Sequence, residues 1–179
     1  ASAVAAPARI VRRMRCAMML TLANGIRLPS GYPQTRTLES MSFGTAAERG
    51  SRPAPDDPCP CGGGTFGTCC GRILAGRPAP TAEQLMRSRY TAFAVGDAAH
   101  LRATWHPSTA PESLTLDPAM RWDGLEIIDA TTAADDRRAT VEFRARWHDA
   151  PSGQRGVLHE VSRFRRAAGR WYYLDGEVS

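Results

Sequence analysis

Four cysteines fall within one short stretch, Cys59-Pro60-Cys61-Gly62-Gly63-Gly64-Thr65-Phe66-Gly67-Thr68-Cys69-Cys70, and the rest of the chain holds just one more, Cys16. Such a density suits a tetrahedral thiolate site, because zinc takes four soft ligands at roughly 2.3 Å from sulfur. Two thiol pairs must then converge on one point, and the Gly62-Gly63-Gly64 run between them allows a tight reversal of the backbone. Two disulfides are the competing use of the same residues. Against them stand the strain of a vicinal Cys69–Cys70 bridge and the lack of a well-formed export signal. Redox thiol chemistry is a third use, but the stretch offers no histidine base. A site filled by four sulfurs keeps no open position for water or substrate, so such a metal is expected to build structure. The expectation is one Zn2+ held by Cys59, Cys61, Cys69 and Cys70 in a knuckle over residues 57–75, whose removal would unravel that segment.

The spacing resembles the SEC-C motif, the small metal module found at the C-terminus of SecA and in other bacterial proteins. That motif reads Cys-x-Cys-Gly-Ser-Gly, a short variable stretch, then Cys followed by Cys or His. Cys59, Cys61, Cys69 and Cys70 fall on its ligand positions, and Gly62 and Gly64 on its glycines. Gly63 stands in place of the serine, and the Cys61–Cys69 interval is one residue shorter than the motif. The variable stretch Thr65-Phe66-Gly67-Thr68 lacks the lysines of the SecA module, so no SecA-type partner is carried over.

Charge narrows the function classes. All 23 basic residues are arginine, and the net charge is +5. The excess lies upstream, where residues 1–58 hold eight arginines against four acids, whereas residues 80–179 hold 13 against 14. A near-neutral domain lacks the basic stripe that binding several phosphates requires. Nucleic acid is therefore not an expected partner. The short cluster Arg163, Arg165 and Arg166 reads as a solvated strand end. Near the start, Arg9, Arg12, Arg13 and Arg15 precede the apolar run Cys16–Ala23, which superficially resembles a signal peptide. It is too short to span a bilayer and ends without a small-x-small cleavage site. Residues 1–56 read as a disordered leader, with 1–40 an upstream extension ahead of a start at Met41. A cytoplasmic protein with no membrane association is expected.

Beyond the cysteines the periodicity turns helical. Thr81 suits an N-cap, and Glu83 and Gln84 fall in the first turn. Ala82, Leu85, Met86, Tyr90 and Phe93 share one arc at about 100° per residue, with Arg89 inside it and Arg87 and Ser88 pointing away. A second, shorter helix is expected over 98–104. Four strands follow at about 122–131, 138–148, 154–166 and 170–178, the last two joined at Ala167-Ala168-Gly169. Alternation groups Val141, Phe143, Ala145 and Trp147 on one face, and Leu158, Glu160, Ser162 and Phe164 on another. In the last strand Trp171, Tyr173 and Asp175 go together. Which face is interior stays open.

Thr81–Phe93, Thr104-Trp105-His106-Pro107, His159–Phe164 and Trp171–Gly176 together resemble the YchJ-like family of bacterial proteins, over roughly residues 57–178. The resemblance implies an α+β fold. A SEC-C-like zinc knuckle precedes a nuclear-transport-factor-2-like (NTF2-like) domain over 76–179, in which a curved antiparallel sheet packs on N-terminal helices to form a cone with an interior pocket.

The candidate interior residues are Arg89, Tyr90, Trp105, His106, Glu160, Trp171, Tyr173 and Asp175. Arg89 needs a buried partner, with Glu160 the first choice and Asp175 the second. The functional expectation is a binding or adaptor protein that meets a protein partner through the knuckle. The alternative is a small-molecule enzyme of lyase or isomerase type that uses the cone. No catalytic residue is assigned.

Overall fold

The computed structural model describes residues 52–179. The expected extension over 1–40, the start at Met41 and nearly all of the leader lie outside the described residues. The element order is α1 (Cys70–Leu74), α2 (Ala82–Val95), α3 (Ala98–Ala103), β1 (Met120–Thr132), β2 (Arg138–Asp149), β3 (Arg155–Ala167) and β4 (Arg170–Val178). The strands form one antiparallel sheet in the order β1-β2-β3-β4, each joined to its neighbour by a hairpin.

Helix α2 starts where its side chains dictate. The Thr81 hydroxyl accepts from Gln84 N at 3.1 Å, satisfying one of the donors a helix start leaves open, and Gly96 and Asp97 end the helix. Asp97 caps α3 in turn, its carboxylate accepting from His100 N at 2.9 Å. The helices pack on one face of the sheet, and strand alternation decides which one. Ala139, Val141, Phe143, Ala145 and Trp147 of β2 are buried together with Leu158, Glu160, Ser162 and Phe164 of β3. Apart from Ala139, these are the two groups that alternation assigns, and register places Val141 opposite Ser162 and Phe143 opposite Glu160. The opposite face carries polar pairs such as His159–Glu142 at 2.7 Å and Arg163–Asp175 at 2.5 Å.

Three register irregularities bend the sheet, at Trp122/Gly124 and Ile127/Asp129 in β1 and beside Arg163/Phe164 in the last hairpin. The last one re-aims β4. Phe164 pairs with Tyr173 but Arg163 pairs with Asp175, so strict alternation fails between Tyr173 and Asp175. The outer edge of β4 is partly covered by the segment after α3, through His106 N to the Tyr173 carbonyl at 2.7 Å and Tyr173 N to the Thr104 carbonyl at 2.9 Å.

Helix α2 works on two sides, and this departs from the single arc expected of it. Leu85, Met86, Arg89 and Tyr90 are buried, but so are Ser88 and Thr91. Ser88, expected to point outward, is fully buried and bonded to His100 Nε2 at 3.0 Å, because α3 folds back over that side. Arg87 is half-buried against the cysteine knuckle. Cys59, Cys61, Phe66, Cys70, Ile73 and Leu74 belong to the same continuous core as the sheet residues, so knuckle and sheet are two sides of one packed unit around α2.

Candidate metal centre and the buried polar cluster

The knuckle is a tight hairpin followed by a helical turn. Cys59 N donates to the Gly64 carbonyl and Gly62 N to the Cys59 carbonyl, both at 2.8 Å, while Pro58 and Thr65 form a bridge. This reversal requires left-handed backbone at Gly62 (φ 75°) and Gly64 (φ 115°), which glycine adopts without strain. Cys69 N bonds back to the Thr65 carbonyl at 3.0 Å, which brings Cys69 and Cys70 at the start of α1 against Cys59 and Cys61.

The four sulfurs lie within 4.8 Å of one another. The separations are 3.5 Å for Cys59–Cys61, 3.4 Å for Cys61–Cys69, 3.5 Å for Cys61–Cys70 and 3.8 Å for Cys69–Cys70. A regular tetrahedron with arms of roughly 2.3 Å has edges of about 3.8 Å, so these four residues fit a tetrahedral thiolate-bound metal. None of the four is in a disulfide. Thiols this close share protons, since they cannot all ionise together. Hydrogen bonds from Cys61 and then Cys70 hold Cys59 well below the usual thiol range. Burial pushes Cys69 up to about 12, and the bonds shared with Cys59 and Cys61 push Cys70 up. A bound cation removes this conflict by deprotonating its sulfur ligands.

Two residues of α2 reach the knuckle. Thr91 Oγ1 lies 3.8 Å from Cys59 Sγ, and Arg87 Nη1 donates to the Cys61 carbonyl at 3.3 Å.

The candidate interior residues separate into three groups. Arg89, Trp105, Tyr173 and Glu160 come together in a buried polar cluster. The Arg89 guanidinium carbon sits 4.4 Å from the Tyr173 ring centre and 5.0 Å from that of Trp105, and the two rings meet edge to face at 5.0 Å. Glu160 Oε1 accepts from Ser162 Oγ at 2.5 Å and from Tyr173 Oη at 3.4 Å. Tyr90 and Trp171 are buried but stand elsewhere, Tyr90 edge-on to Trp122 at 5.9 Å and Trp171 beside the Arg166 guanidinium at 5.8 Å. His106 and Asp175 are outside the interior. The His106 ring is bonded to Ser108 Oγ at 2.6 Å, and Asp175 pairs with Arg163 on the opposite sheet face. Asp175 leaves the Trp171–Tyr173 face because of the irregularity in β4, a local event that strand alternation cannot register.

The expected partnership of Arg89 with Glu160 takes another form. Arg89 Nη1 donates to the Leu101 carbonyl at 2.8 Å and to Thr104 Oγ1 at 2.9 Å, and no ion pair closes between Arg89 and Glu160 among the described residues. Their charges still act on each other at longer range. Burial lowers Arg89 to about 10 and raises Glu160 to about 7. Burial, then the charge of Arg89, lowers His100 to about 4. Among the described residues, Arg89 Nη2, Glu160 Oε2 and Trp105 Nε1 have no hydrogen-bond partner.

Thr91 and the Ser88–His100 pair escape sequence reasoning, as do the bonds that Ser162 and Thr104 make to Glu160 and Arg89. One signal for them exists: the α2 sequence, AEQLMRSRYTAFAV, has no continuous charged face, as expected of a helix covered on more than one side. At the far end of the sheet an open groove runs between the two hairpin tips, lined by Asp135, Asp136, Arg137, Arg138, Arg165 and Arg166 with the 167–169 turn. Arg138 pairs with Asp135 at 3.2 Å, and Arg166 with Asp136. Its charges are thus partly paired within the fold.

Comparison with known proteins agrees with this architecture. The model of the YchJ middle NTF2-like domain matches residues 81–176. A UPF0225 protein of Streptomyces coelicolor is 53% identical over 126 residues, covering 69% of this chain and 97% of the relative. Another from Ralstonia nicotianae is 48% identical over 140 residues, covering 71% and 95%. Among solved structures, a SEC-C motif containing protein from Rhodopseudomonas palustris superposes with a TM-score of 0.60 at 34% identity, over 69% of this chain and 99% of its own. One from Psychrobacter arcticus does so with 0.54 at 30% identity, over 68% and 81%. With a family model matching more than half of its length and relatives that it spans almost end to end, the chain belongs to the YchJ-like family, the UPF0225 proteins.

Proposed function

We propose that the chain is a zinc-binding adaptor whose knuckle meets a protein partner. The carrying observation is the cluster of four sulfurs within 4.8 Å, a donor set suited to zinc and closed to further ligands. The SEC-C motif in both solved neighbours supports the same reading. The knuckle offers its outward surface at Gly62–Thr65, a loop of exposed backbone and small side chains. A protein partner is favoured over nucleic acid by the near-even charge of residues 80–179. Four reduced thiols suit the cytoplasm. Among the described residues no helix is long and apolar enough to cross a membrane.

Metal analysis of protein purified under reducing conditions tests the reading. One zinc per chain is expected, lost in a Cys61→Ser/Cys70→Ser variant. Protein without stoichiometric zinc that cannot take it up overturns it.

A second reading rests on a different observation. Arg89 Nη2, Glu160 Oε2 and Trp105 Nε1 are buried in one region of the core without a partner among the described residues, and a small polar ligand there would satisfy them. This is the cone-pocket alternative, with lyase or isomerase chemistry as its enzymatic form. Native mass spectrometry of the purified chain tests it: a bound small molecule, lost in Arg89→Met, supports a ligand site, and bare protein from every source tried removes it.

A further inference from the structure

Thr91 sits in the middle of α2 with no exposed surface, at a position where valine would have the same shape. A buried hydroxyl without a partner is costly, so its bonding decides why threonine stands there. In a helix such a hydroxyl commonly turns back to the carbonyl four residues earlier. Here its partner is Cys59 Sγ at 3.8 Å. A metal-bound thiolate carries no proton, so in a loaded site Thr91 has to be the donor.

One turn earlier on the same side lies Arg87. Its Nε is held by Glu83 Oε1 at 2.8 Å, and its Nη1 reaches the Cys61 carbonyl at 3.3 Å. Glu83, Arg87 and Thr91 recur every four residues and so form one stripe along the helix. The opposite side of α2 carries Leu85 and Arg89 into the sheet. Four thiolates around a divalent cation leave surplus negative charge, and three of these cysteines are buried. Such a centre needs donors to its sulfurs and a nearby cation. The stripe provides one of each.

We propose that α2 of the NTF2-like domain supplies the outer shell of the metal centre, Thr91 donating to the Cys59 thiolate while Arg87 holds the Cys61 carbonyl and offsets the charge. Thr91 and Arg87 are positioning residues and not ligands. The knuckle is then not a detachable module, because its metal affinity is partly written into a helix whose other face carries the buried polar cluster. This rests on the metal reading above.

The test uses the whole chain, reduced and stripped of metal, titrated with Co2+ alone and then with Zn2+ against a chromophoric chelator. Loss of an outer-shell partner typically weakens metal binding about 10–100-fold. Thr91→Val is expected to bind at least about 10-fold more weakly and to shift the sulfur-to-cobalt charge-transfer bands, while Thr91→Ser retains wild-type affinity and spectrum. The metal-free forms of all three should melt alike, which separates an effect on the centre from an effect on packing. Arg87→Met is expected to weaken binding by a similar factor, and Arg87→Lys, which restores the charge, to recover part of it. Arg87 is half-exposed, so these variants carry the test even if Thr91→Val does not fold. Unchanged affinity and spectrum in both Thr91→Val and Arg87→Met overturn the proposal while leaving the metal reading intact. A wild-type chain that takes up neither metal overturns both.

Discussion

The guanidinium of Arg89 donates to the backbone carbonyl of Leu101 at 2.8 Å and adds a second bond to Thr104 Oγ1, tying the middle of α2 to the end of α3. The last carbonyls of a helix have no partner within it, and a cation there also faces the negative end of the helix dipole. Arg89 thus works as a buried clamp on α3, and Glu160 is bonded separately, to Ser162 and Tyr173.

Arg89→Met should therefore destabilise the chain by about 3 kcal/mol, since charged hydrogen bonds to a buried carbonyl and hydroxyl are lost. Glu160→Gln keeps an acceptor for Ser162 and Tyr173 and should cost about 1 kcal/mol or less at neutral pH. Denaturant unfolding of both variants decides the matter. Equal losses would mean that the two residues act as an ion pair after all.

Acid titration should expose two opposed groups. Glu160 is raised by burial from 4.5 to about 7, so the folded state keeps a proton that the unfolded chain releases. Its contribution is full below about pH 4.5 and is lost as pH rises through about 7. His100 is lowered by burial from 6.5 to about 4, so the unfolded chain takes the proton first, and its contribution grows as pH rises from about 4 to 6.5. The wild type should vary little between pH 4.5 and 6.5 from these two groups. Glu160→Gln should gain stability steadily across that window, as measured by urea unfolding at each pH. A flat profile for the variant would show that His100 is not buried neutral.

Metal removal should be felt beyond the knuckle. Cys59, Cys61 and Cys70 share one core with Leu85 and Met86, and Thr91 touches Cys59. A ligand at a thousand times its dissociation constant stabilises by about 4 kcal/mol, all of which is lost on chelation. Hydrogen exchange should rise through residues 57–75 and also on the 87–91 turn of α2. Faster exchange confined to 57–75 would show a knuckle that melts alone.

Gly176 lies where a Cβ would overlap the Glu160 carboxylate. Gly176→Ala should cost about 1–3 kcal/mol in the wild type, as overpacking does, and clearly less in a Glu160→Ala background. A double-mutant cycle measures the difference. Additive losses would place the strain elsewhere.

Much of this protein is legible along the chain because the physics involved is local. Thr81 caps α2, and Asp97 and Gly96 separate α2 from α3. The period-two pattern of β2 and β3 keeps Phe143 with Val141 and Glu160 with Ser162, since a pleated strand gives neighbours no other choice. The cysteine cluster is legible for the same reason: its members lie within a dozen residues and only the hairpin at Gly62–Gly64 has to form.

Tertiary structure decided what depends on residues far apart. Asp175 leaves the interior because β4 slips by one residue against β3, and His106 because its segment lies along the edge of β4. Arg89 finds Leu101 instead of Glu160 because α3 folds back within reach of α2, and Ser88 is buried by that same return. Thr91 meets Cys59 across 32 positions of sequence, a contact no helical period can foretell. Periodicity tells which side chains share a face, but what covers that face is set by the packing of the whole chain, where one bulge or one helix reversal exchanges a partner at little cost in local geometry.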